Sequence, residues 1–169
     1  MEHADRVEVK TRKRVQNARS QCLSASAKMP YRRGIFFIVF KKDKNKVKYL
    51  LLKRKLHWKG WEISKGGIEK NENYKQGLLR ELKEETGAKP VKIIDFHKTG
   101  KFKYEKELPD RKGIIGQTYK LYSVEINTDK VKYDKYEHSG YKWVDFKTAY
   151  KMLTWTDQKK CLKLVHSKT

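Results

Sequence analysis

From Gly34 the chain alternates short apolar runs with polar segments. Ile35–Phe40 (IFFIVF) is continuously apolar, which predicts a strand covered on both faces. Asp43-Lys44-Asn45-Lys46 supplies a turn, and Val47–Leu52 predicts a second strand that pairs with the first as a hairpin. A basic, aromatic loop (KRKLHWKGW) leads into Trp61-Glu62-Ile63, and Ser64-Lys65-Gly66-Gly67 reads as a sharp loop before a helix. That helix is expected to start near Glu72 or Asn73 and to stop at Gly87, a natural C-terminal cap. After Pro90, Val91–Phe96 reads as a strand, while Thr99–Tyr104 and Gln117–Glu125 form the arms of a long hairpin around ELPDRKGIIG. Glu137–Trp143 runs into a final strand. Asp145 caps a helix through Leu153, and Thr156 starts a last helix with Cys161, Leu164 and Val165 on one side. The predicted class is α/β, a sandwich with helices on both sides of a mixed sheet spanning residues 31–165. Residues 1–30 read as a basic N-terminal extension outside it.

The central helix carries the chemistry. With Glu81 at zero on a wheel of about 100° per residue, Glu85 falls near +40° and Glu84 near −60°. Leu78, Leu82 and Leu79 follow at about +60°, +100° and +160°, an apolar stripe beside an acidic one. Carboxylates at this spacing repel one another, and a divalent cation would reverse the sign. Oxygen donors suit magnesium or manganese. Gly77 lies in the acidic sector, where it predicts a close approach of backbone or substrate. In the preceding loop, exposed amides and a carbonyl suit phosphate or metal, with Lys65 adding positive charge.

From Gly66 to Ala88 the chain reads GGIEKNENYKQGLLRELKEETGA. This resembles the signature of the Nudix hydrolases, G-x5-E-x7-R-E-U-x-E-E-x-G-U with U a bulky aliphatic residue. Gly66, Glu72, Arg80, Glu81, Leu82, Glu84, Glu85 and Gly87 match it, and Ala88 is a smaller version of the last position. The resemblance implies a Nudix-type α/β/α sandwich and hydrolysis of a nucleoside diphosphate linked to another group. It also implies roles. Glu81, Glu84, Glu85 and the Gly66 carbonyl would bind Mg2+ or Mn2+, and Arg80 would orient neighbouring carboxylates, including Glu72. Gly67, Glu72 and Gly87 would be structural. One glutamate, inside the box or at Glu137, would take the proton from water. An inactive binding module of this fold would be expected to lack box carboxylates, and this box keeps all of them.

Two further stretches resemble the diadenosine tetraphosphate hydrolase group of that family. Trp61 and Lys65 match W-x-x-P-K-G, with Ser64 where proline is usual, and Glu137-His138-Ser139-Gly140-Tyr141-Lys142-Trp143 matches E-H-x-x-Y-x-W. Asymmetric cleavage of diadenosine tetraphosphate-like dinucleotides is therefore the leading expectation. His57, Trp58 and Tyr104 are candidates to stack adenine, and Lys65 and Arg33 to hold phosphates. The alternative is removal of pyrophosphate or a cap from the 5′ end of RNA.

Composition bears on that choice. The formal charge is +22, from 42 basic and 20 acidic residues, of which residues 1–33 contribute +6. The body is itself basic and attracts polyanions, RNA among them, although lysine enrichment also arises from compositional bias. Cys22 and Cys161 form neither a disulfide framework nor a metal-ligand spacing, which favours a reducing, cytoplasmic setting. No apolar run reaches the ~18–20 residues of a membrane-spanning helix.

Overall fold

The computed structural model describes residues 31–44 and 46–169; the proposed extension over residues 1–30, with Cys22, lies outside them. The strands are β1 (Tyr31–Arg32), β2 (Gly34–Asp43), β3 (Lys46–Arg54), β4 (Gly60–Glu62), β5 (Ser64–Gly67), β6 (Lys92–Lys103), β7 (Gly116–Glu125) and β8 (His138–Val144). The helices are α1 (Tyr74–Thr86), α2 (Phe146–Met152) and α3 (Thr156–His166). β7 runs parallel to β1 and β2 and antiparallel to β6, so the sheet is mixed.

Alternation along β2 explains its continuous apolar run. Ile35, Phe37 and Val39 pack with Leu78 and Leu82 of α1, whereas Phe36, Ile38 and Phe40 pack with Ala149, Leu162 and Val165 of α2 and α3. Each large apolar side chain so buried contributes about 1.5–3 kcal/mol. The predicted α/β/α sandwich is the observed one. No helix among the described residues is long and apolar enough to cross a membrane.

Several elements differ from expectation for identifiable reasons. The β2–β3 hairpin forms from Phe40↔Tyr49 to Asp43↔Lys46, but nearer its start β2 pairs with β5 instead. Ser64–Gly67 is thus a strand and not a free loop, because Gly34–Phe37 needs a partner for its backbone groups. Val91–Phe96 and Thr99–Tyr104 are not separate strands. β6 runs unbroken from Lys92 to Lys103 along β7, with an irregularity between Asp95 and Thr99 that absorbs the polar interruption. Val91 precedes it and is exposed. Leu79 and Leu164 are also exposed, so each helix buries a narrower stripe than expected.

α1 starts and stops where the sequence places it. Asn73 Oδ1 accepts from Gln76 N at 2.9 Å while Gln76 Oε1 accepts from Asn73 N at 2.9 Å, a reciprocal capping box. Gly87 closes the helix in the left-handed region at φ 68° and donates to the Lys83 carbonyl at 2.8 Å. Gly77 meets the core side chain Ile68, whose Cδ1 lies 2.4 Å from where a Cβ would stand. The nearest neighbours of that position among the described residues are side chains, Ile68 and then Glu72. Asn73→Ala should cost about 1 kcal/mol, read as a melting temperature lower by about 3–5 °C. An unchanged melting curve would show that the cap contributes nothing.

Candidate active site

β5 carries Gly66 and Gly67 against the first turns of α1, and Arg80 is the hub between them. Arg80 Nε and Nη2 donate to the two Glu72 oxygens at 2.7 and 2.9 Å, and Nη2 also donates to the Gly67 carbonyl at 2.8 Å. Nη1 reaches Glu81 Oε1 at 3.0 Å and Glu84 Oε2 at 3.1 Å. The hydrogen bonds from Arg80, with one from the Glu69 amide, hold the Glu72 carboxyl down to about 2. Glu72 is thereby fixed as an anion whose oxygens are occupied.

Glu81 and Glu85 are different. Glu81 Oε1 also accepts from Gly67 N at 3.1 Å, yet burial raises its carboxyl above the ordinary value despite Arg80. Glu85 is 5% exposed, and burial, then the charge of Glu81, pushes its carboxyl well up. Ser64 stands beside it, but neither the Ser64 hydroxyl nor Glu85 Oε2 completes a hydrogen bond among the described residues. A buried carboxylate oxygen without a partner is costly and suits a site that receives a cation. Gly66 leaves room for Glu81: a Cβ there would lie 2.0 Å from Glu81 Cδ.

The donor chemistry fits a hard divalent cation: carboxylates on one helix face beside the Gly66 carbonyl. The set is not gathered in advance. Among the described residues, no three His, Cys, Asp or Glu side chains converge as a metal centre. Arg80 stands between two of the carboxylates, its Nη1 meeting both Glu81 and Glu84.

A cleft of about 370 Å³ opens beside this cluster, lined by residues that include Lys65, Gln117, His57, Trp58, Tyr104 and Trp155. Trp58 and Trp155 meet edge to face at 5.3 Å. The Arg111 guanidinium lies 5.8 Å from the Tyr104 ring centre, and its Nη1 donates to the Tyr104 hydroxyl at 3.2 Å. Gln117 Nε2 donates to the Gly66 carbonyl at 3.1 Å, joining the cleft floor to the strand below the acidic helix.

The structure therefore brings Lys65, His57, Trp58 and Tyr104 to one cleft. It does not bring Trp61 or Arg33 there. Trp61 packs half-buried against the core, with Lys53 and Lys142 over its ring at 5.9 and 5.4 Å. The Arg33 guanidinium sits 5.1 Å from the Tyr74 ring centre. Glu137 is engaged by Arg54 Nη1 at 2.5 Å. His138 is buried and bonds to Glu62, in keeping with a structural histidine.

Sequence reasoning missed Gln117, Arg54, Arg111, Trp155 and the fully buried Glu62 as parts of this region. Glu62 alone carried a signal, a charge between Trp61 and Ile63 in a strand-like segment. Gln117 and Trp155 are brought in by β7 and the start of α3, far along the chain, whereas Arg54 and Arg111 lie close in sequence to Trp58 and Tyr104.

A model of the NUDIX domain matches residues 30–165. An RNA pyrophosphohydrolase of Nitratiruptor sp. is 31% identical over 133 residues, covering 75% of this chain and 86% of that protein. An RNA pyrophosphohydrolase of Pelagibacter ubique is 35% identical over 129 residues, covering 69% and 78%. Among solved structures, a C. elegans Ap4A hydrolase binary complex aligns with a TM-score of 0.66 at 20% identity, covering 80% of this chain and 96% of that one. The E. coli dihydroneopterin triphosphate pyrophosphohydrolase aligns at 0.68 and 22% identity, covering 79% and 95%. At such identities the structural likeness shows the fold alone.

Proposed function

Because the chain belongs to the Nudix family and is a pyrophosphohydrolase acting on phosphoanhydride bonds, we propose that its substrate is the 5′ polyphosphate end of RNA. The observation that carries this reading is the identity to RNA pyrophosphohydrolases over about 69–75% of the chain. The charge of +22 agrees with it, since a long phosphate track rewards a basic surface. Dinucleotide cleavage, the leading expectation from sequence, has weaker support: the likeness to Ap4A hydrolase is one of fold.

In this reading Glu81, Glu84, Glu85 and the Gly66 carbonyl hold Mg2+ or Mn2+. Such a cation neutralises phosphate charge and acidifies bound water. Arg80 fixes the Glu72 and Gly67 framework and keeps the acidic face from splaying. Lys65, at the cleft wall beside Gly66, offsets charge on the phosphates. Trp58, Trp155 and Tyr104 offer faces and edges to the terminal base. Glu72, Glu81 and Glu84 are tied to Arg80, and Glu137 to Arg54. The water proton thus falls to Glu85, whose Oε2 has no partner among the described residues. Glu137→Gln should accordingly lower turnover by less than about tenfold, below the usual contribution of a general base. A loss of several hundredfold would return the role to Glu137.

Product analysis with magnesium, offering 5′-triphosphorylated RNA and diadenosine tetraphosphate in competition, tests the substrate. Preferential release of pyrophosphate from RNA, weakening steeply as salt is raised, is the expected result. ATP plus AMP with RNA ends intact would replace it with the dinucleotide reading.

A further inference from the structure

β5 and α1 pass each other with matched spacing. Gly66 faces Glu81, since a Cβ on Gly66 would lie 2.0 Å from Glu81 Cδ. Stepping back two residues along a strand covers about 6.5 Å, and one turn onward along a helix covers about 6 Å. The same step therefore sets Ser64 opposite Glu85. The sheet register agrees. Ser64 pairs with Phe37 and Gly66 with Ile35, and both of those β2 side chains pack with Leu78 and Leu82 of α1. Directly opposed residues of an antiparallel pair share a face, so the Ser64 side chain points at α1 as well.

The pair is buried and uncommitted. Ser64 is 1% exposed, and neither its hydroxyl nor Glu85 Oε2 has a hydrogen-bond partner among the described residues. Burial, and next the charge of Glu81, push the Glu85 carboxyl up, while the Ser64 hydroxyl acts in the opposite sense. A buried donor and a buried acceptor left unmade each cost free energy, and a serine hydroxyl rotates to suit its neighbour. The hydrolase group that this stretch resembles usually has proline here, which has no hydroxyl, so the pair is not part of that pattern.

We propose that Ser64 is a positioning residue for Glu85: its hydroxyl donates to one carboxylate oxygen and leaves the other for the divalent cation. A glutamate carboxylate turns broadly about its last bond, and a fixed donor narrows that freedom to one orientation. Carboxylate ligands are commonly held in this way by a hydrogen bond from behind. The inference rests on the reading of Glu85 as a cation ligand; the facing of Ser64 and Glu85 rests on the geometry.

Calorimetric titration of the full chain with Mn2+ tests it. Ser64→Ala should weaken Mn2+ binding by about tenfold or more, the usual loss when the partner of a ligating group is removed. In EDTA the same variant should melt no lower than the wild type, because it deletes a buried hydroxyl that has no partner among the described residues. Ser123→Ala is the matched control. Its hydroxyl is also buried and without a partner among the described residues, but it stands opposite Ile38, on the face away from α1, and its loss should leave the affinity unchanged. Wild-type affinity in Ser64→Ala overturns the proposal. A loss of affinity matched by an earlier melt in EDTA also overturns it, since the hydroxyl would then belong to the fold. Glu85→Gln, titrated alongside, separates the two ideas. Weakened binding in Glu85→Gln with none in Ser64→Ala removes the role of Ser64 and leaves the cation reading standing. Unchanged binding in Glu85→Gln, or no binding by the wild type, removes both.

Discussion

Glu85→Gln is expected to abolish most activity while making the metal-free protein more stable. Both effects follow from one observation: Glu85 is buried beside Glu81 with an oxygen that has no partner among the described residues. Its carboxyl is raised in the folded state, so the folded protein binds that proton more tightly than the unfolded chain. Stability then falls as pH rises from the ordinary carboxylate range through the folded value. At neutral pH in EDTA the ionised Glu85 is a liability that glutamine lacks. The gain should be on the order of 1 kcal/mol, or about 3–5 °C in melting temperature, and should shrink as pH is lowered towards the carboxylate range. Added magnesium should narrow the difference from the wild-type side, because it stabilises only a protein that binds it. Turnover should drop by at least about a hundredfold, the loss of a cation ligand or of the proton acceptor. A variant less stable than the wild type in EDTA at neutral pH would refute the cost of burying Glu85, and one with near wild-type rates would exclude Glu85 both as ligand and as proton acceptor.

Gly66→Ala is expected to lower kcat/KM by about a hundredfold or more with little loss of fold. The added methyl would lie 2.0 Å from Glu81 Cδ and 2.3 Å from Glu81 Cγ and Oε1. Glu81 is not a loose end that can swing aside, since Arg80 and the Gly67 amide hold it at 3.0 and 3.1 Å. The carboxylate must move, and a misplacement of about 1 Å is enough for a loss of that size. Gly140→Ala, where nothing lies within 4 Å of the new atom, is the matched control and should leave activity unchanged. Circular dichroism would verify the fold, and manganese titration would report the damaged site. Equal activity in both variants would show that the Gly66–Glu81 contact has no part in catalysis.

The box from Gly66 to Gly87 was readable because its geometry is local. Asn73, Gln76 and Gly87 mark the ends of a helix whose repeat puts Glu81 and Glu85 on neighbouring positions whatever surrounds it. The covered strand Ile35–Phe40 was readable for a related reason: only a strand buried on both faces tolerates six apolar residues in succession. The burial of Glu85 was not readable. The helix repeat says which side chains share a face, but not how deeply a neighbouring strand covers that face.

The cleft lies further from the sequence's reach. Trp58 and Trp155 are nearly a hundred positions apart, and Gln117 meets the Gly66 carbonyl across 51. Such neighbours are set by strand order and register, which summed long-range contacts decide and no short pattern encodes. Trp61 and Arg33 show the converse, with the residue types of a substrate site but positions that packing gave to the core edge and to Tyr74. By itself the sequence determined the helix, its acidic face, the doubly covered strand and the family. Tertiary structure alone decided which carboxylate is left buried without a partner and which hydroxyl faces it, because burial and partnership belong to contacts between distant segments.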